Sequence, residues 1–220
     1  MVLTAGIDEA GRGCVIGPLV IAAAGVEGKM VSKLVEAGVK DSKRLTPRSR
    51  IRIASSIRRI ARVVETRRIS ASRIDRLRSK GVSLNEIEAM LVGSILSKHR
   101  RGVFYVDSVD RDCARFKMMI LRHAAGFKGV LIVRNYLDES NPLVGAASII
   151  AKVERDRAVK SLLRKAGLPE CSGYSSDSKT VRLVEQLLKS GCRGNMVRRS
   201  WSTVERIRAR LNQDSLSRFL

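Results

Sequence analysis

The sequence predicts an α/β protein built around a covered sheet. Short apolar runs of the kind that form buried strands recur along the chain, and segments with apolar residues three or four positions apart lie between and after them. Apolar residues make up 44% of the 220 positions, which is enough for one good core. We therefore expect an α/β domain over residues 1–165, followed by a smaller, mainly helical part.

Five runs are predicted to be strands. The first two are almost entirely apolar, which suits strands covered on both faces, and a glycine-rich turn joins them. In chain order the five runs are VLTAGID, VIGPLVIAAAGV, VVETRRI, GVFYVD and GVLIV.

Helices are predicted from capping signals and from periodicity. Thr46-Pro47 has the form of an N-cap followed by a first-turn proline, and Ser83 to Glu86 has the form of a capping box. The long segment LVGAASIIAKVERDRAVKSLLRKAG is predicted to be a helix that stops at Gly167. Two further helices are predicted over TVRLVEQLLKSG and WSTVERIRARL.

The charge balance predicts a polyanionic partner. The 43 Lys and Arg residues outnumber the 21 Asp and Glu residues and give a formal charge of +22, which favours nucleic acid. A solvated basic surface without a ligand is the alternative. A membrane partner is not expected, because the basic residues are not gathered on one amphipathic helix and the apolar stretch 14–26 is too short to span a bilayer.

The cysteines and histidines disfavour a zinc site and a disulfide framework. Cys14, Cys113, Cys171 and Cys192 are far apart and form no C-x-x-C pair, and the chain has only two histidines. A reduced, cytoplasmic setting is expected.

Acidic residues stand at the ends of apolar runs. Asp8 and Glu9 end the first run, Asp107 ends another, and Asp138 precedes the long helix. Burying such acids together is costly unless cations neutralise them, and hard divalent ions prefer oxygen ligands. Two ions about 3.5–4 Å apart would hold both the attacking and the leaving oxygen of a phosphodiester. The acids could instead be helix caps or turn formers, and this alternative applies most to Asp138.

The turn Gly11-Arg12-Gly13 suits close approach of the main chain to a sugar–phosphate strand, because glycines leave the amides accessible. A tight hairpin turn would use glycine equally well. The chain has no G-x-x-x-x-G-K-[ST] motif, so a nucleotide-hydrolysing P-loop is not expected. Two histidines also make a Ser/His/Asp triad hard to assemble.

Six sequence blocks together resemble the type 2 ribonucleases H, the ribonuclease HII family, and its archaeal branch most. They run in order from residue 6 to about residue 207: GIDEAGRG, KDSKRLT, YVDSVD, NPLVGAASIIAKVERDR, SGYSSD and VRRSWSTV. The resemblance implies a ribonuclease H-like mixed five-stranded sheet flanked by helices. It also implies a helical C-terminal segment, residues 166–211, that helps to hold the duplex.

The resemblance further implies an activity. A monomeric endoribonuclease with two Mg²⁺ or Mn²⁺ ions would cleave the RNA strand of RNA–DNA hybrids and single ribonucleotides embedded in duplex DNA, leaving 3′-hydroxyl and 5′-phosphate ends. Such an enzyme serves DNA replication and ribonucleotide excision repair. The family's catalytic and metal-binding acids correspond to Asp8, Glu9, Asp107 and Asp138.

The same resemblance implies the substrate contacts. The main chain of Gly11, Arg12 and Gly13 would read the 2′-hydroxyl, the group that separates RNA from DNA. Tyr174 would pack on the following deoxyribose at an RNA–DNA junction. The further backbone contacts it suggests are Lys43, Ser148 and Lys152.

Two residues depart from the family pattern. Cys14 replaces a proline or small residue, and Ser175 replaces a proline that would fix the backbone after Tyr174. We therefore expect a less rigid loop at Tyr174. For that reason the resemblance implies a preference for RNA–DNA junctions less directly than it implies cleavage itself.

The last residues, 212–220, resemble the short motif by which replication enzymes bind the sliding clamp. One helical turn would place apolar side chains on one side, ready to fill a hydrophobic groove. The motif residues are Gln213, Leu216, Phe219 and Leu220, and Leu220 departs from the aromatic that the motif prefers. Packing of this tail on its own domain is the alternative.

Two other functions fit parts of the sequence. A DNA nuclease of related fold, such as a junction resolvase, would use similar acids without needing a 2′-hydroxyl sensor. A non-catalytic basic protein would bind nucleic acid tightly and salt-sensitively without cleaving it. The paired acids disfavour this second function, because a pure binder would not place carboxylates against phosphates.

Overall fold

The computed structural model describes residues 2–39, 45–190 and 195–216. In these ranges the chain forms five strands and nine α-helices, and a short 3-10 helix at Gly28–Met30 precedes the first of them. The strands are β1 (Leu3–Ala10), β2 (Leu19–Glu27), β3 (Val63–Ile69), β4 (Val103–Asp107) and β5 (Val130–Arg134). The helices are α1 (Val31–Glu36), α2 (Pro47–Ile60), α3 (Ala71–Arg78), α4 (Leu84–Lys98), α5 (Cys113–Arg122), α6 (Leu137–Ser140), α7 (Pro142–Lys165), α8 (Ser178–Lys189) and α9 (Ser202–Leu216).

The two predicted N-caps are confirmed, but the capping box predicted at Ser83 is only half formed, because the Glu86 carboxylate bonds to His123 instead of to the Ser83 amide. The Thr46 hydroxyl accepts a hydrogen bond from the Ser49 amide at 3.2 Å, with Pro47 in the first turn of α2. The Ser83 hydroxyl accepts one from the Glu86 amide at 3.1 Å and starts α4. None of the helices in the described ranges is both long and apolar enough to cross a membrane.

The predicted mixed five-stranded sheet is confirmed. Its strand order is β3-β2-β1-β4-β5; β1 runs antiparallel to β2 and parallel to β4, and β4 runs parallel to β5. The carboxyl ends of β1, β4 and β5 therefore meet at one edge of the sheet. Residues that end or follow these strands are brought to that edge.

The second strand begins later than predicted. The sequence indicates a strand from Val15, but β2 starts at Leu19. The reason is that main-chain groups of Val15, Ile16 and Gly17 bond to the main chain of Gly173, Met196 and Arg198 instead of to the sheet.

The chain divides into two compact units. The first contains the residues up to Ala10, Val20–Arg68 and Ser83–Glu154, and the second contains Gly11–Leu19, Ile69–Val82 and the residues from Arg155 onward. The second unit thus includes two earlier segments that the predicted C-terminal part, residues 166–211, does not contain.

The first unit packs helices on both faces of its sheet. Ala5 and Ile7 of β1 lie in the layer with α4 and α5, whereas Ala10 lies in the layer with α2 and α7. A Cβ atom on Gly6 would lie 2.2 Å from main-chain atoms of Leu143 and Val144, so only glycine lets the start of α7 lie this close to β1. The core of the second unit comes from its loop after β1, the end of α7, α8 and α9.

Candidate active site

Asp8 is a buried carboxylate near the end of β1. Only 6% of the residue is exposed. Because side chains alternate along a strand, Asp8 and Ile7 point to opposite faces of the sheet. Asp8 lies on the face that α7 covers. Its Oδ1 accepts a hydrogen bond from the Glu9 amide at 2.8 Å.

The electrostatics of Asp8 oppose its ionisation. Burial raises the pKa of this carboxyl well above its usual value, and the neighbouring charge of Glu9 raises it further. Ser148 of α7 acts in the other direction and lowers this pKa. Ser148 is fully buried, and its Oγ forms no hydrogen bond of good geometry within the described residues.

Asp107 and Asp138 come to the same edge of the sheet. Ile7 is paired with Val106 in the parallel register, so Asp8 and Asp107 occupy the next position on each strand and share one face. The Leu137 amide donates to Asp107 Oδ1 at 2.7 Å, and Asp138 is the next residue. Tyr136 immediately precedes α6 and has a left-handed backbone, with a φ of 61°. No other non-glycine residue in the described ranges has a positive φ.

The acids fit divalent cations in chemistry, although they are not a preformed cage. Among the described residues, no three His, Cys, Asp or Glu side chains are grouped closely enough to hold one ion. Mg²⁺ typically needs only one or two carboxylates plus substrate phosphate, so such a cage is not required. The raised pKa of Asp8 reflects the burial and like-charge cost that a cation would offset.

Two other predicted substrate contacts lie on α7. Ser148 and Lys152 are four residues apart and therefore on one side of the helix, with Lys152 partly exposed. Lys43, the third of these predictions, lies outside the described residues. All three roles stay predictions.

Sequence reasoning missed a polar network that joins the segments after β4 and β5. The Asn135 amide nitrogen donates to the carbonyl oxygens of Ser108 at 3.2 Å and Asp110 at 2.9 Å. The buried Asp110 carboxylate accepts from Arg115, which lowers the pKa of Asp110. The network thereby supports the segments that carry Asp107 and Asp138. Asp110 stands in the quoted block YVDSVD, but nothing local distinguishes it from a surface acid.

The predicted glycine loop lies in the second unit, and its two glycines differ. Gly11 has a φ of 88°, and a Cβ there would lie 2.8 Å from the Pro18 carbonyl oxygen and 3.1 Å from Arg155 Cγ. The fold therefore requires glycine at this position. Gly13 is exposed, and a Cβ there would meet no atom within 4 Å. The space beside Gly13 is thus open to a ligand.

Tyr174 is held in place by neighbours in the second unit. The Arg155 guanidinium lies 4.3 Å from the centroid of the Tyr174 ring, and the main chain of Tyr174 forms an isolated β-bridge with Cys14. Partial burial raises the pKa of Tyr174, and burial also raises the pKa of the free Cys14 thiol.

The loop that carries Tyr174 is tied by Asp177, which caps α8. The Asp177 carboxylate accepts hydrogen bonds from the Ser172 amide at 2.9 Å, the Ser172 hydroxyl at 2.8 Å and the Thr180 hydroxyl at 2.9 Å. The hydrogen bond donated by the Ser172 main-chain amide is the main reason that the pKa of Asp177 lies far below its usual value. These bonds restrain the loop although Ser175 supplies no proline.

The tail prediction is only partly within the described residues. The backbone of α9 continues through Gln213 to Leu216, so the helix extends further than the predicted WSTVERIRARL, and Gln213 is exposed. The Leu216 side chain, Phe219 and Leu220 lie outside the described residues.

Comparison with known proteins gives consistent matches along the chain. A family model described as ribonuclease HII matches residues 5–204. Ribonuclease HII of Methanothermobacter thermautotrophicus is 43% identical over 203 residues, covering 91% of this chain and 97% of the relative. The solved ribonuclease H2 of Pyrococcus horikoshii OT3 has a TM-score of 0.84 at 38% identity and covers 96% of this chain and 99% of its own. A solved PCNA:RNase HII complex from Archaeoglobus fulgidus has a TM-score of 0.83 at 38% identity, covering 93% and 96%.

Proposed function

The chain belongs to the ribonuclease HII family, and on that premise we propose that it also excises single ribonucleotides from duplex DNA by two-metal hydrolysis. Family membership establishes the coarser activity: the chain is an endonuclease of the ribonuclease H type that cleaves the RNA strand of RNA–DNA hybrids. The charge of +22 suits such a substrate.

One observation carries the proposal. Asp8 is buried beside Glu9 at an edge of the sheet where the strand register brings Asp107 alongside. Bound cations would stabilise ionised carboxylates in such a place, and phosphate oxygens of the substrate would complete the coordination. When bound, two divalent cations activate water and stabilise the charge that develops on the leaving oxygen.

The chain's own residues have distinct roles in this proposal. Asp8, Glu9, Asp107 and Asp138 hold the cations, and the Asp107 carboxylate also fixes the Leu137 amide beside Asp138. The main chain of Gly11, Arg12 and Gly13 reads the 2′-hydroxyl, using the open space beside Gly13. Tyr174 packs on the deoxyribose that follows a ribonucleotide.

The test compares three end-labelled duplexes of one sequence in Mg²⁺: a full hybrid, a DNA duplex with one ribonucleotide, and all DNA. We expect cleavage of the first two, with 3′-hydroxyl products, and none of the third. Cleavage of the hybrid alone would contradict excision of single ribonucleotides. Cleavage of all-DNA duplex would indicate a DNA nuclease, and tight binding without cleavage would indicate a binding protein. The same reactions with EDTA serve as the control for metal dependence.

We also propose that residues 213–220 dock on the sliding clamp. The Archaeoglobus fulgidus protein, 38% identical, was solved as a complex with PCNA, and Gln213 of this chain is exposed at the end of α9. Deleting residues 213–220 is expected to abolish binding to the clamp in a pull-down assay and to leave hybrid cleavage intact. Unchanged clamp binding would contradict the proposal.

A further inference from the structure

A buried arginine in the second unit points to how the glycine loop is held. Arg198 has no exposed surface and is the largest fully buried side chain among the described residues. A guanidinium is costly to bury unless its N–H groups have partners. The partners of Arg198 therefore indicate its role.

The Arg198 side chain joins two points of the loop that connects β1 to β2. Its Nε donates to the Gly17 carbonyl oxygen at 3.1 Å, and its Nη1 donates to the Arg12 carbonyl oxygen at 3.0 Å. The guanidinium also lies 4.8 Å from the centroid of the Trp201 ring, within the range in which an aromatic ring attracts a cation. A planar guanidinium presents N–H groups in fixed directions, so one side chain sets the separation of two carbonyl groups.

Main-chain bonds hold the second half of this loop independently. The Arg198 amide donates to the Val15 carbonyl oxygen, and the Gly17 amide donates to the Met196 carbonyl oxygen, both at 2.8 Å. These bonds survive a change of the Arg198 side chain. The bond to the Arg12 carbonyl does not survive it, and Arg12 is the centre of the proposed 2′-hydroxyl sensor.

We infer that Arg198 is a positioning residue that holds the main chain of Gly11-Arg12-Gly13 in the geometry that distinguishes ribose from deoxyribose. The inference rests on the proposed function of that loop. Arg198 touches no substrate atom in this role and acts only through the carbonyl groups of Arg12 and Gly17.

The test uses Arg198→Lys, which keeps the positive charge but loses the planar fork. Arg199→Lys is the matched control, because Arg199 is the exposed neighbour and its main-chain amide bonds to Asp75 instead. Each protein is assayed for kcat and KM on the single-ribonucleotide duplex. Each is also assayed, in metal-free buffer, for the Kd of the full hybrid and of the matched DNA duplex.

Misplacement of a positioned group by about 1 Å can reduce a rate by about 100-fold. We therefore expect Arg198→Lys to lower kcat by roughly 10- to 100-fold and to lower the hybrid-over-DNA binding preference, with the Kd for DNA unchanged. Arg199→Lys should behave like wild type. A general folding defect would reduce the active fraction for both duplexes equally, so an unchanged binding preference would overturn the inference.

The wild-type result separates this inference from the proposed function. If wild type binds and cleaves ribonucleotide-containing duplexes without preference, both are overturned. If wild type shows the preference and Arg198→Lys retains it, only the inference is overturned. Should Arg198→Lys fail to fold, Trp201→Phe keeps a smaller ring against the guanidinium and is expected to reduce the preference by about threefold. A full wild-type preference in Trp201→Phe would then overturn the inference.

Discussion

The two units hold the residues of the proposed function in opposite ways. In the first unit, Asp8 is buried next to Glu9, and its raised pKa means that the ionised side chain lowers stability. In the second unit, Arg198 and Asp177 tie the functional loops with several hydrogen bonds each. Under the proposed function the acidic edge would be completed by cations, whereas the loops that would recognise the sugar are preorganised. In the proposed function, charge and shape are therefore recognised by separate parts of the chain.

The largest expected effect is on the acidic edge. Asp107→Asn should reduce hybrid cleavage by about 10²- to 10³-fold, because a ligand charge is lost, while hybrid binding is kept, since removing a negative charge does not weaken contacts to phosphate. Single-turnover kinetics measure the cleavage rate, and a binding titration measures the affinity for the hybrid. Asp112→Asn is the control, because Asp112 is exposed and caps α5, a role that asparagine also fills. Turnover of Asp107→Asn at the wild-type rate would show that the acid is misassigned.

Gly13 and Gly11 test whether the loop serves the fold or the substrate. Gly13→Ala should change the free energy of unfolding by less than about 0.5 kcal/mol, because its Cβ meets nothing within 4 Å. The same methyl group should lower hybrid cleavage roughly tenfold, equivalent to about 1.4 kcal/mol, by occupying space that the sugar–phosphate strand needs. Gly11→Ala should instead destabilise the protein by about 1–2 kcal/mol or more. Denaturant unfolding measures the effect of each variant on stability, and cleavage rates measure its effect on activity. A fully active Gly13→Ala would remove the support for a sensor at this position.

Tyr174 should affect the site of cleavage more than cleavage itself. Tyr174→Ala is expected to weaken cleavage at RNA–DNA junctions by roughly tenfold, for about 1.4 kcal/mol of lost packing, with less effect on long hybrids. Tyr174→Phe keeps the ring over Arg155 and should be close to wild type. Equal losses of Tyr174→Ala on junctions and on long hybrids would argue against a role at the junction.

The smallest expected effect is on stability, and it depends on pH. A raised folded-state pKa means that the contribution of Asp8 is fully present below the unfolded aspartate pKa of about 4 and is lost as pH rises through the folded-state value. Metal-free Asp8→Asn should therefore be more stable than wild type at neutral pH, by about 1 kcal/mol, and the advantage should vanish in acid. Urea unfolding at several pH values measures this. Added Mg²⁺ should stabilise wild type more than the variant, and an Asn variant less stable than wild type at neutral pH would contradict the argument.

Strands and helix starts were predicted well where a few neighbouring residues determine them. The apolar runs and the caps at Thr46 and Ser83 identified the start of two helices and all five strands that the described residues form. Helices α1, α3, α5 and α6 were not predicted. Helices α1 and α6 have six and four residues, and helices of that length depend on tertiary packing. Helices α3 and α5 begin at the N-caps Ser70 and Asp112, local signals that were overlooked. The start of β2 was predicted too early because residues 15–17 pair with distant loops.

The sequence by itself determined the five strands and five of the nine helices of the described residues, the acids at the ends of apolar runs and the family to which the motifs belong. Only the tertiary structure decided that Asp8 and Asp107 share one face, that Gly11 is required by the fold while Gly13 is not, and that Arg198 is buried. The physical reason is the range of the interactions. Capping and alternation act over a few residues, whereas burial and register are set by segments far apart in the chain.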